Sequence, residues 1–480
     1  MRKTKIVCTL GPAVDDYKTL ARLCKAGMNV ARFNFSHGDY EEQEKRIETF
    51  KSVRSDLDLP IPMMLDTKGP EIRIGKFENN EIFLNDGDTF TLMYEECLGN
   101  ESKVYVNYPK LHEDVTIGSK ILINDGLIEL EVLEIVNRNI VCKVINGGKL
   151  SNKKSINVPG LVLSLPLISE KDKEDIIFGI EHGFDIIAAS FVRKPEDILA
   201  IRQVLKEHNA ENIKIISKIE NNEGVENFDK ILEVSDGIMV ARGDLSVEIP
   251  MQKVPMLQKE FIKKCMNSAK QVIVATQMLE SMITNPRPTR AEVSDIANAV
   301  LDGTSAIMLS GETATGKYPI DCVSTMSKVA ESIENEMDKW SILKSKNRAN
   351  DFDKEKQDLI IGHALCEVAM QTNATAIFSL SAHGNTPKAL SSFRPNCDII
   401  ALTPEEQTAR QMNLTWGVIP IHIEKTDNPT EMILKAINIA KEENYVQEGD
   451  TAIIGGSDTY DYNNQSSFNG YKTLGGICKI

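Results

Sequence analysis

The sequence predicts an α/β fold, a (β/α)₈ TIM barrel with an inserted small all-β lid domain and a C-terminal α/β domain. Three observations lead to this prediction. Eight short apolar runs rich in β-formers alternate with helical periodicity, which indicates βαβ units and a parallel sheet. Residues 70–166 show strand alternation without a helical period, and the composition changes after residue 340. Eight units favour a closed barrel over an open doubly wound sheet.

The predicted barrel strands share short length and apolar character, and all but the third are followed directly by a helical pattern. They are Ile6–Leu10, Met28–Phe33, Met63–Asp66, Asp185–Ser190, Ile213–Ile219, Gly237–Ala241, Gln271–Ala275 and Ala306–Leu309. Amphipathic helical spacing is clearest in four stretches between them. These are Tyr17–Ala26, Glu41–Ser52, Pro195–Glu207 and Lys253–Ala269.

The insert is predicted as an all-β domain because its strands alternate and its turns have hairpin chemistry. The strands are Glu81–Leu84, Thr89–Met93, Lys120–Ile123, Leu127–Val136 and Ile140–Val144. The turns are Asn85-Asp86-Gly87, Asn124-Asp125-Gly126 and Asn146-Gly147-Gly148. Because βα loops lie on the face of a barrel where active sites form, an insert there is placed to act as a lid.

The C-terminal part is predicted as a separate α/β domain. It follows a last barrel helix over Pro319–Ser341 and an exposed charged connection over Lys344–Asp358. Its strands are Ala376–Leu380, Asp398–Leu402, Val418–Ile423 and Thr451–Gly455, and a polar tail covers Ser457–Gly476. The chain is thus divided into barrel (1–69), lid (70–166), barrel (167–340) and C-terminal regulatory or assembly domain (341–480).

Charge and cysteine usage narrow the class of protein. The 480 residues carry a net charge of −15 and no basic run, which argues against nucleic acid or an anionic membrane as partner. Nine cysteines are scattered singly, as in a protein with reduced thiols. No signal peptide and no apolar run of ~20 residues is visible, so we expect a cytoplasmic protein.

Charged side chains gather at the predicted carboxyl ends of the barrel strands. Lys218 and Glu220 alternate on one strand and therefore point to the same side, and Asp244 follows the next strand. The two carboxylates suit Mg²⁺, beside which the lysine would face an oxyanion or a transferring phosphoryl group. Taken alone, Lys218 and Glu220 are better explained as a structural ion pair than as a catalytic pair.

Oxygen donors on neighbouring strands suggest a monovalent cation site. The set is Asn34, Ser36, Asp66 and Thr67. Local capping and turn hydrogen bonds explain Asn and Ser equally well at this stage. Arg32 and Arg73 are candidate phosphate clamps, since a planar guanidinium suits that task, with ordinary surface arginines as the alternative.

One apparent nucleotide motif is rejected. Gly311–Lys317 matches G-x-x-x-x-G-K, but Tyr318 stands where a P-loop needs Ser or Thr for Mg²⁺. The segment also follows the eighth strand of a barrel rather than the first strand of a doubly wound sheet.

Seven long segments, in this order, resemble the pyruvate kinase family. They are Thr4–Ala13 (TKIVCTLGPA), Ala31–Gly38 (ARFNFSHG), Leu65–Arg73 (LDTKGPEIR), Ile216–Asn221 (ISKIEN), Ala241–Leu245 (ARGDL), Ala275–Met282 (ATQMLESM) and Pro286–Glu292 (PRPTRAE). The resemblance covers the barrel and insert end to end and the C-terminal domain more loosely. It implies phosphoryl transfer from phosphoenolpyruvate to ADP, giving pyruvate and ATP, the last step of glycolysis, in a homotetramer.

The resemblance also implies roles for residues of this chain. Glu220 and Asp244 would bind Mg²⁺ or Mn²⁺, and Lys218, Arg32 and Thr276 would be catalytic. Phosphoenolpyruvate would be held by Arg32, Lys218, Gly243, Asp244 and Thr276, the nucleotide by Asn34, Phe35, Ser36, His37, Arg73 and Lys154, and K⁺ by Asn34, Ser36, Asp66 and Thr67. Glu71 matches the form of the family that needs K⁺, whereas a lysine there would replace the ion.

Some positions depart from the family pattern. Ser246 stands where glycine is usual, and Ser381–Pro387 replaces the usual Ser/Thr/Gly-rich phosphate loop, so activation by a sugar bisphosphate is not implied. Ser381 and Thr386 suit either a phosphate or an ordinary helix cap.

Two other functions are weighed against an active pyruvate kinase. A catalytically silent paralogue that senses phosphoenolpyruvate or a sugar phosphate should lose Lys218, Glu220, Asp244 or Thr276, and all four are present. A metal-dependent lyase acting on enolpyruvate would need neither the cation cage nor the lid.

Overall fold

The first part of the barrel alternates strands and helices from the start of the chain. The structure is a computed structural model that describes residues 2–348, 357–424, 429–457 and 473–480. The first elements are β1 (Lys5–Thr9), α1 (Tyr17–Ala26), β2 (Val30–Asn34), α2 (Tyr40–Asp56) and β3 (Met63–Asp66). The carboxylates of Asp16 and Asp39 accept hydrogen bonds from the backbone amides of Thr19 and Glu42 and so cap the two helices.

The insert after β3 is built almost entirely of strands. It contains β4 (Glu81–Leu84), β5 (Thr89–Met93), β6 (Lys103–Tyr105), α3 (Leu111–Asp114), β7 (Lys120–Ile123), β8 (Ile128–Val136), β9 (Asn139–Asn146), β10 (Gly148–Ser151) and β11 (Ile156–Asn157). Six strands form one sheet in the order β11-β7-β8-β9-β5-β6, and β10 pairs with β4. β6, β10, β11 and α3 were not predicted: β6 and β11 have three and two residues, too few to show a period, and β10 begins within the predicted turn Asn146-Gly147-Gly148.

The chain then returns to the barrel. This part comprises α4 (Glu170–Glu181), β12 (Ile186–Ala189), α5 (Pro195–Glu207), β13 (Lys214–Ile219), α6 (Asn222–Glu226), α7 (Phe228–Val234), β14 (Gly237–Ala241), α8 (Arg242–Glu248), α9 (Val254–Asn267), β15 (Gln271–Ala275), α10 (Arg290–Leu301), β16 (Ala306–Leu309), α11 (Gly311–Ala314) and α12 (Pro319–Glu336). Eight parallel strands close in the order β1-β16-β15-β14-β13-β12-β3-β2, so the predicted (β/α)₈ barrel is confirmed.

Alternation along the barrel strands determines which side chains enter the barrel. Val30, Met64 and Ile216 belong to one buried cluster with Met239 and Ile273 from β14 and β15. Because side chains alternate with a period of two, Arg32, Asp66 and Lys218 lie on the same side one step further along their strands. The inward positions are therefore apolar low in the barrel and charged at its carboxyl end.

The C-terminal elements form a second α/β unit. They are α13 (Lys339–Arg348), α14 (Gln357–Gln371), β17 (Ala376–Leu380), α15 (Asn385–Ser392), β18 (Asp398–Thr403), α16 (Glu406–Met412), β19 (Val418–His422), α17 (Pro429–Glu442), β20 (Thr451–Ser457) and β21 (Thr473–Lys479). The sheet order is β19-β18-β17-β20-β21, with β21 antiparallel to β20. The predicted α/β fold is confirmed here as well.

Several sequence-based boundaries differ from the structure. The helix predicted over 319–341 ends at Glu336, and α13 begins at Lys339. Part of the predicted connection (349–356) and most of the polar tail (458–472) lie outside the described residues. The division of the chain at 69, 166 and 340 stays a proposal. Among the described residues, we find no helix with both the length and the apolar character of a membrane span.

Candidate active site

A lysine and its oxygen partners lie at the carboxyl end of the barrel. The Lys218 ammonium is 3.0 Å from a carboxylate oxygen of Asp66 and 3.0 Å from one of Glu220. It also donates a hydrogen bond of 2.7 Å to the hydroxyl of Ser190. Burial opposes its charge, but the carboxylates of Asp66 and Glu220 outweigh burial and raise the pKa of Lys218 above its usual range. Lys218 is therefore a fixed positive charge.

Arg32 is held on the other side of Asp66. Its Nε donates to Asp66 at 2.6 Å, and its Nη1 donates to the hydroxyl of Thr9 at 2.7 Å. Burial disfavours the Asp66 carboxylate, yet Arg32 and Lys218 together lower its pKa below the usual value. One ionised carboxylate thus orients two buried cations in the barrel mouth, and the sequence-predicted Arg32, Asp66 and Lys218 are brought together.

Glu220 is buried and Asp244 is half-buried, and the two carboxylates repel each other. Burial raises the pKa of Glu220 to about 7, with a further contribution from Asp244. Burial also raises the pKa of Asp244, and Asp125 and Glu71 add to the effect. One Glu220 oxygen accepts a hydrogen bond of 2.6 Å from the amide of Phe191.

This pair of carboxylates fits a divalent ion, since both carry an unfavourable negative charge that a cation would stabilise. Within the described residues, no group of three or more His, Cys, Asp and Glu side chains is arranged to hold a metal. A divalent ion held by these two carboxylates would complete its coordination with water and substrate oxygens, as Mg²⁺ commonly does.

The loop after β15 presents Thr276 to the start of α8. The Thr276 hydroxyl accepts a hydrogen bond of 2.8 Å from the amide of Gly243 and donates one of 2.6 Å to the carbonyl of Ala275. Thr276 has a φ of 71°, which is unfavourable for a β-branched residue. Arg242 stabilises this conformation, because its guanidinium donates to the Thr276 carbonyl at 2.7 Å and pairs with Asp295 at 2.6 Å.

The oxygen donors of the predicted K⁺ site are partly engaged within the protein. The Asn34 side-chain oxygen accepts from the amide of Ser36 at 3.0 Å, which is the local turn hydrogen bond that the sequence left open as an alternative. The Thr67 hydroxyl accepts from the amide of Ser190 at 3.1 Å. Both oxygens keep a second lone pair, so these contacts leave room for a cation.

The predicted nucleotide residues are divided between the barrel and the insert. Phe35 is 7% exposed and packs edge-on against Phe178 and Phe184, so its side chain belongs to the core. His37 is exposed, and its Nδ1 lies 3.3 Å from the side-chain amide nitrogen of Asn34. Arg73 and Lys154 lie on the insert, where Arg73 pairs with Glu71 at 2.7 Å.

A cleft opens between the insert and the barrel mouth. It contains about 970 Å³ of space, part of it open to solvent. Glu71, Asp125 and Asp244 contribute carboxylates to its wall, and Leu161 and Leu163 contribute apolar surface. A cleft of this size and position is the expected place for substrates. Because its wall is acidic, it favours anionic substrates that bind together with a cation.

Ser190 and Arg242 contact site residues, and the sequence reasoning assigned neither of them a role. The Ser190 hydroxyl accepts a hydrogen bond from the Lys218 ammonium and lies 3.1 Å from a carboxylate oxygen of Asp66. The Arg242 guanidinium donates a hydrogen bond to the Thr276 carbonyl. Both lie at the ends of barrel strands, so the same rule that singled out Lys218 was the available signal. A serine at a strand end is too common to be recognised without its neighbours.

Three further sequence features have structural explanations. Ser246 donates a hydrogen bond of 2.8 Å to the Gly243 carbonyl. Gly316 approaches the Glu312 carbonyl so closely that a Cβ would lie 2.4 Å from it, which accounts for that glycine by packing. The Ser381 hydroxyl accepts from the Gly384 amide at 3.0 Å, as an ordinary turn serine does.

The fold and the site together define a TIM-barrel enzyme with an inserted β domain, in which buried cations and carboxylates converge on a cleft. The family model for the pyruvate kinase barrel domain matches residues 1–323, and the model for the pyruvate kinase alpha/beta domain matches 360–466. The chain therefore belongs to the pyruvate kinase family. It is an enzyme that transfers a phosphoryl group from phosphoenolpyruvate to ADP.

Individual relatives agree with this assignment. A pyruvate kinase of Clostridium acetobutylicum is 48% identical over 455 residues, covering 95% of this chain and 96% of the relative. One of Bacillus licheniformis is 49% identical over 456 residues, covering 95% of this chain and 77% of the relative. The crystal structure of a pyruvate kinase from Cryptosporidium parvum has a TM-score of 0.91 and 40% identity, covering 99% of this chain and 96% of that one.

Proposed function

We propose that phosphoryl transfer takes place at the cluster around Lys218. The observation that carries this proposal is the ammonium held between Asp66, Ser190 and Glu220 at 3.0, 2.7 and 3.0 Å. A charge fixed in this way needs no rearrangement when negative charge develops on the phosphoryl group and the enolate. Because phosphoryl transfer depends mainly on positioning and charge neutralisation, this lysine would supply the larger part of the protein's contribution.

Arg32, Gly243 and Thr276 are the proposed ligands of phosphoenolpyruvate. Arg32 keeps its Nη2 free of hydrogen bonds within the described part of the chain, where Nε and Nη1 are engaged by Asp66 and Thr9. Gly243 and Thr276 are neighbours joined by a hydrogen bond, and a Cβ on Gly243 would project to 3.5 Å from the Thr276 hydroxyl. A glycine there leaves the space beside that hydroxyl to the substrate.

Glu220 and Asp244 are the proposed ligands of Mg²⁺ or Mn²⁺, which the pyruvate kinase family uses together with K⁺. When bound, the divalent ion would neutralise phosphoryl and enolate oxygens. The carboxylates themselves fix its position, because Glu220 is oriented by the Phe191 amide and Asp244 is carried by α8.

Asn34, Ser36, Asp66 and Thr67 are the proposed K⁺ ligands. The nucleotide would contact the segment from Asn34 to His37 on one side and Arg73 and Lys154 of the lid on the other. Since Phe35 is buried, its part would be limited to the backbone. We also propose that the protein is cytoplasmic and, as the family suggests, a homotetramer. Light scattering of the purified protein would test the tetramer.

The test of these roles is pyruvate formation from phosphoenolpyruvate and ADP with Mg²⁺, with K⁺ present and then replaced by a bulky organic cation. Turnover that depends on K⁺ supports the reaction, the metal pair and the cation site together. Equal turnover without K⁺ would contradict the proposed cation site but would leave the proposed reaction intact. Folded protein without turnover in either condition would contradict the catalytic roles.

A further inference from the structure

Both chain crossings between the barrel and the lid contact one short loop, residues 190–193, which follows β12. At the outgoing crossing, Gly69 has a φ of 75°, and a Cβ added there would lie 2.8 Å from the Phe191 ring. The outgoing segment is thus packed against the loop without space for a side chain. The hydroxyl of Ser190 also donates to the Thr67 carbonyl at 2.6 Å.

The returning crossing is held by Arg193. We call residues 158–168 the return strap; no helix or strand includes it. The Arg193 guanidinium donates to the carbonyls of Leu163, Leu165 and Pro166 at 3.4, 3.2 and 2.8 Å. Asp197 fixes the guanidinium from the barrel side at 3.0 Å. A planar fork of five N–H donors is suited to binding several carbonyls at once.

The same loop contacts the reacting cluster at its other end. The Ser190 hydroxyl accepts from the Lys218 ammonium at 2.7 Å, and the Phe191 amide donates to Glu220 at 2.6 Å. Phe191 has a φ of 54°, a conformation that persists only where surrounding contacts enforce it. A single residue, Val192, therefore lies between the amide that donates to Glu220 and the side chain that holds the strap.

We propose that Arg193 is a positioning residue that couples the lid to the Lys218–Glu220 cluster through loop 190–193. Movement of the strap pulls on Arg193, and the backbone between Arg193 and Phe191 transmits that displacement to the amide that orients Glu220. In the reverse direction, ions and substrate that fix Glu220 favour one position of the lid. The roles of Lys218 and Glu220 in this inference rest on the proposed function.

Arg193→Lys is the variant that tests the coupling. It keeps the charge, but one ammonium cannot reach three carbonyls and Asp197 together. Arg202→Lys is the matched control, since Arg202 also binds a backbone carbonyl, that of Val234 at 2.8 Å, and a carboxylate, that of Asp236 at 3.0 Å. Neither partner of Arg202 belongs to the lid or the cluster.

The first readout is steady-state kinetics with each substrate varied. Because the lid carries Arg73 and Lys154, we expect Arg193→Lys to raise the KM for ADP more than the KM for phosphoenolpyruvate. The loss in kcat/KM for ADP should be about 10- to 100-fold, the range for misplaced or unsupported site groups. Arg202→Lys should leave both constants at wild-type values.

The second readout is hydrogen exchange of the strap amides. It is measured without ligands and again with Mn²⁺ plus phosphoenolpyruvate, and ADP is absent in both cases. We expect these ligands to slow exchange in the wild type and in Arg202→Lys but not in Arg193→Lys. Unchanged KM for ADP, or ligand protection retained in Arg193→Lys, would overturn the coupling. A wild-type protein without turnover would refute the proposed function separately, while strap protection by Mn²⁺ would still report on the coupling.

Discussion

Replacing Lys218 with methionine tests the assignment of the reacting cluster most directly. The change keeps most of the apolar stem of the side chain and removes the charge that contacts Asp66 and Glu220 at 3.0 Å each. At an effective dielectric constant of about 20, a unit charge at this distance is worth about 5 kcal/mol. A phosphoryl group that replaces water beside the ammonium would experience a similar interaction.

The expected loss of rate follows from that energy. Removal of a cation that stabilises phosphoryl transfer lowers kcat by about 10³- to 10⁵-fold, which corresponds to about 4–7 kcal/mol and brackets the electrostatic value. Mn²⁺ should still bind, because both carboxylate ligands remain and Glu220 keeps its hydrogen bond from the Phe191 amide. The assays are pyruvate formation and Mn²⁺ titration followed by electron paramagnetic resonance at pH 8.

Lys264→Met is the control for this prediction. Lys264 also lies between two carboxylates, those of Asp229 at 2.8 Å and Glu260 at 3.0 Å, but far from the barrel mouth and partly in solvent. It should turn over like the wild type. If Lys218→Met turned over within tenfold of the wild-type rate, the assignment of Lys218 would be refuted. If the variant neither folded nor bound Mn²⁺, the same assay would be made on Lys218→Gln.

Three further predictions use other parts of the chain. Glu71→Lys should make turnover independent of K⁺, because an ammonium would take the place of the ion; a variant that still needs K⁺ would contradict the cation site. Asp244→Asn should raise the Mn²⁺ concentration needed for half-maximal rate at least tenfold, since a charged ligand is lost, and an unchanged requirement would exclude Asp244 as a ligand. Burial lowers the pKa of Lys5 to about 7 from 10.5, so between these values the unfolded chain binds more protons than the native one and Lys5 makes stability rise with pH. Urea unfolding at pH 6, 7.5 and 9 should therefore show Lys5→Met losing stability relative to the wild type as pH rises; a constant difference would mean that Lys5 is not buried as a neutral amine.

Much of the fold could be predicted because its elements have local signatures. The strands Met63–Asp66, Gly237–Ala241, Gln271–Ala275 and Ala306–Leu309 were found with their predicted boundaries. Each is a short apolar run, and all but Met63–Asp66, which leads into the insert, are followed by a helical pattern. The β6, β10 and β11 strands lack such a signature, since their pairing partners lie elsewhere in the chain and determine that they are strands at all.

By itself, the sequence determined the barrel, the inserted β domain and the identity of the charged residues at the strand ends. Successive side chains of a strand point to opposite sides, so Lys218 and Glu220 could be placed on one side from their spacing alone. Only the tertiary structure decided what surrounds them. Asp66 is 152 residues from Lys218 in sequence, and closing the barrel brings the two within 3.0 Å.

The same reason explains the roles of Ser190, Arg193 and Thr276. Each depends on a partner from a distant segment: Lys218, the return strap and Gly243. The positive φ of Thr276 is enforced by Arg242 at the start of α8, and no local pattern predicts it. Residue type and spacing therefore determined which groups are available to the chemistry, and barrel closure decided which of them touch.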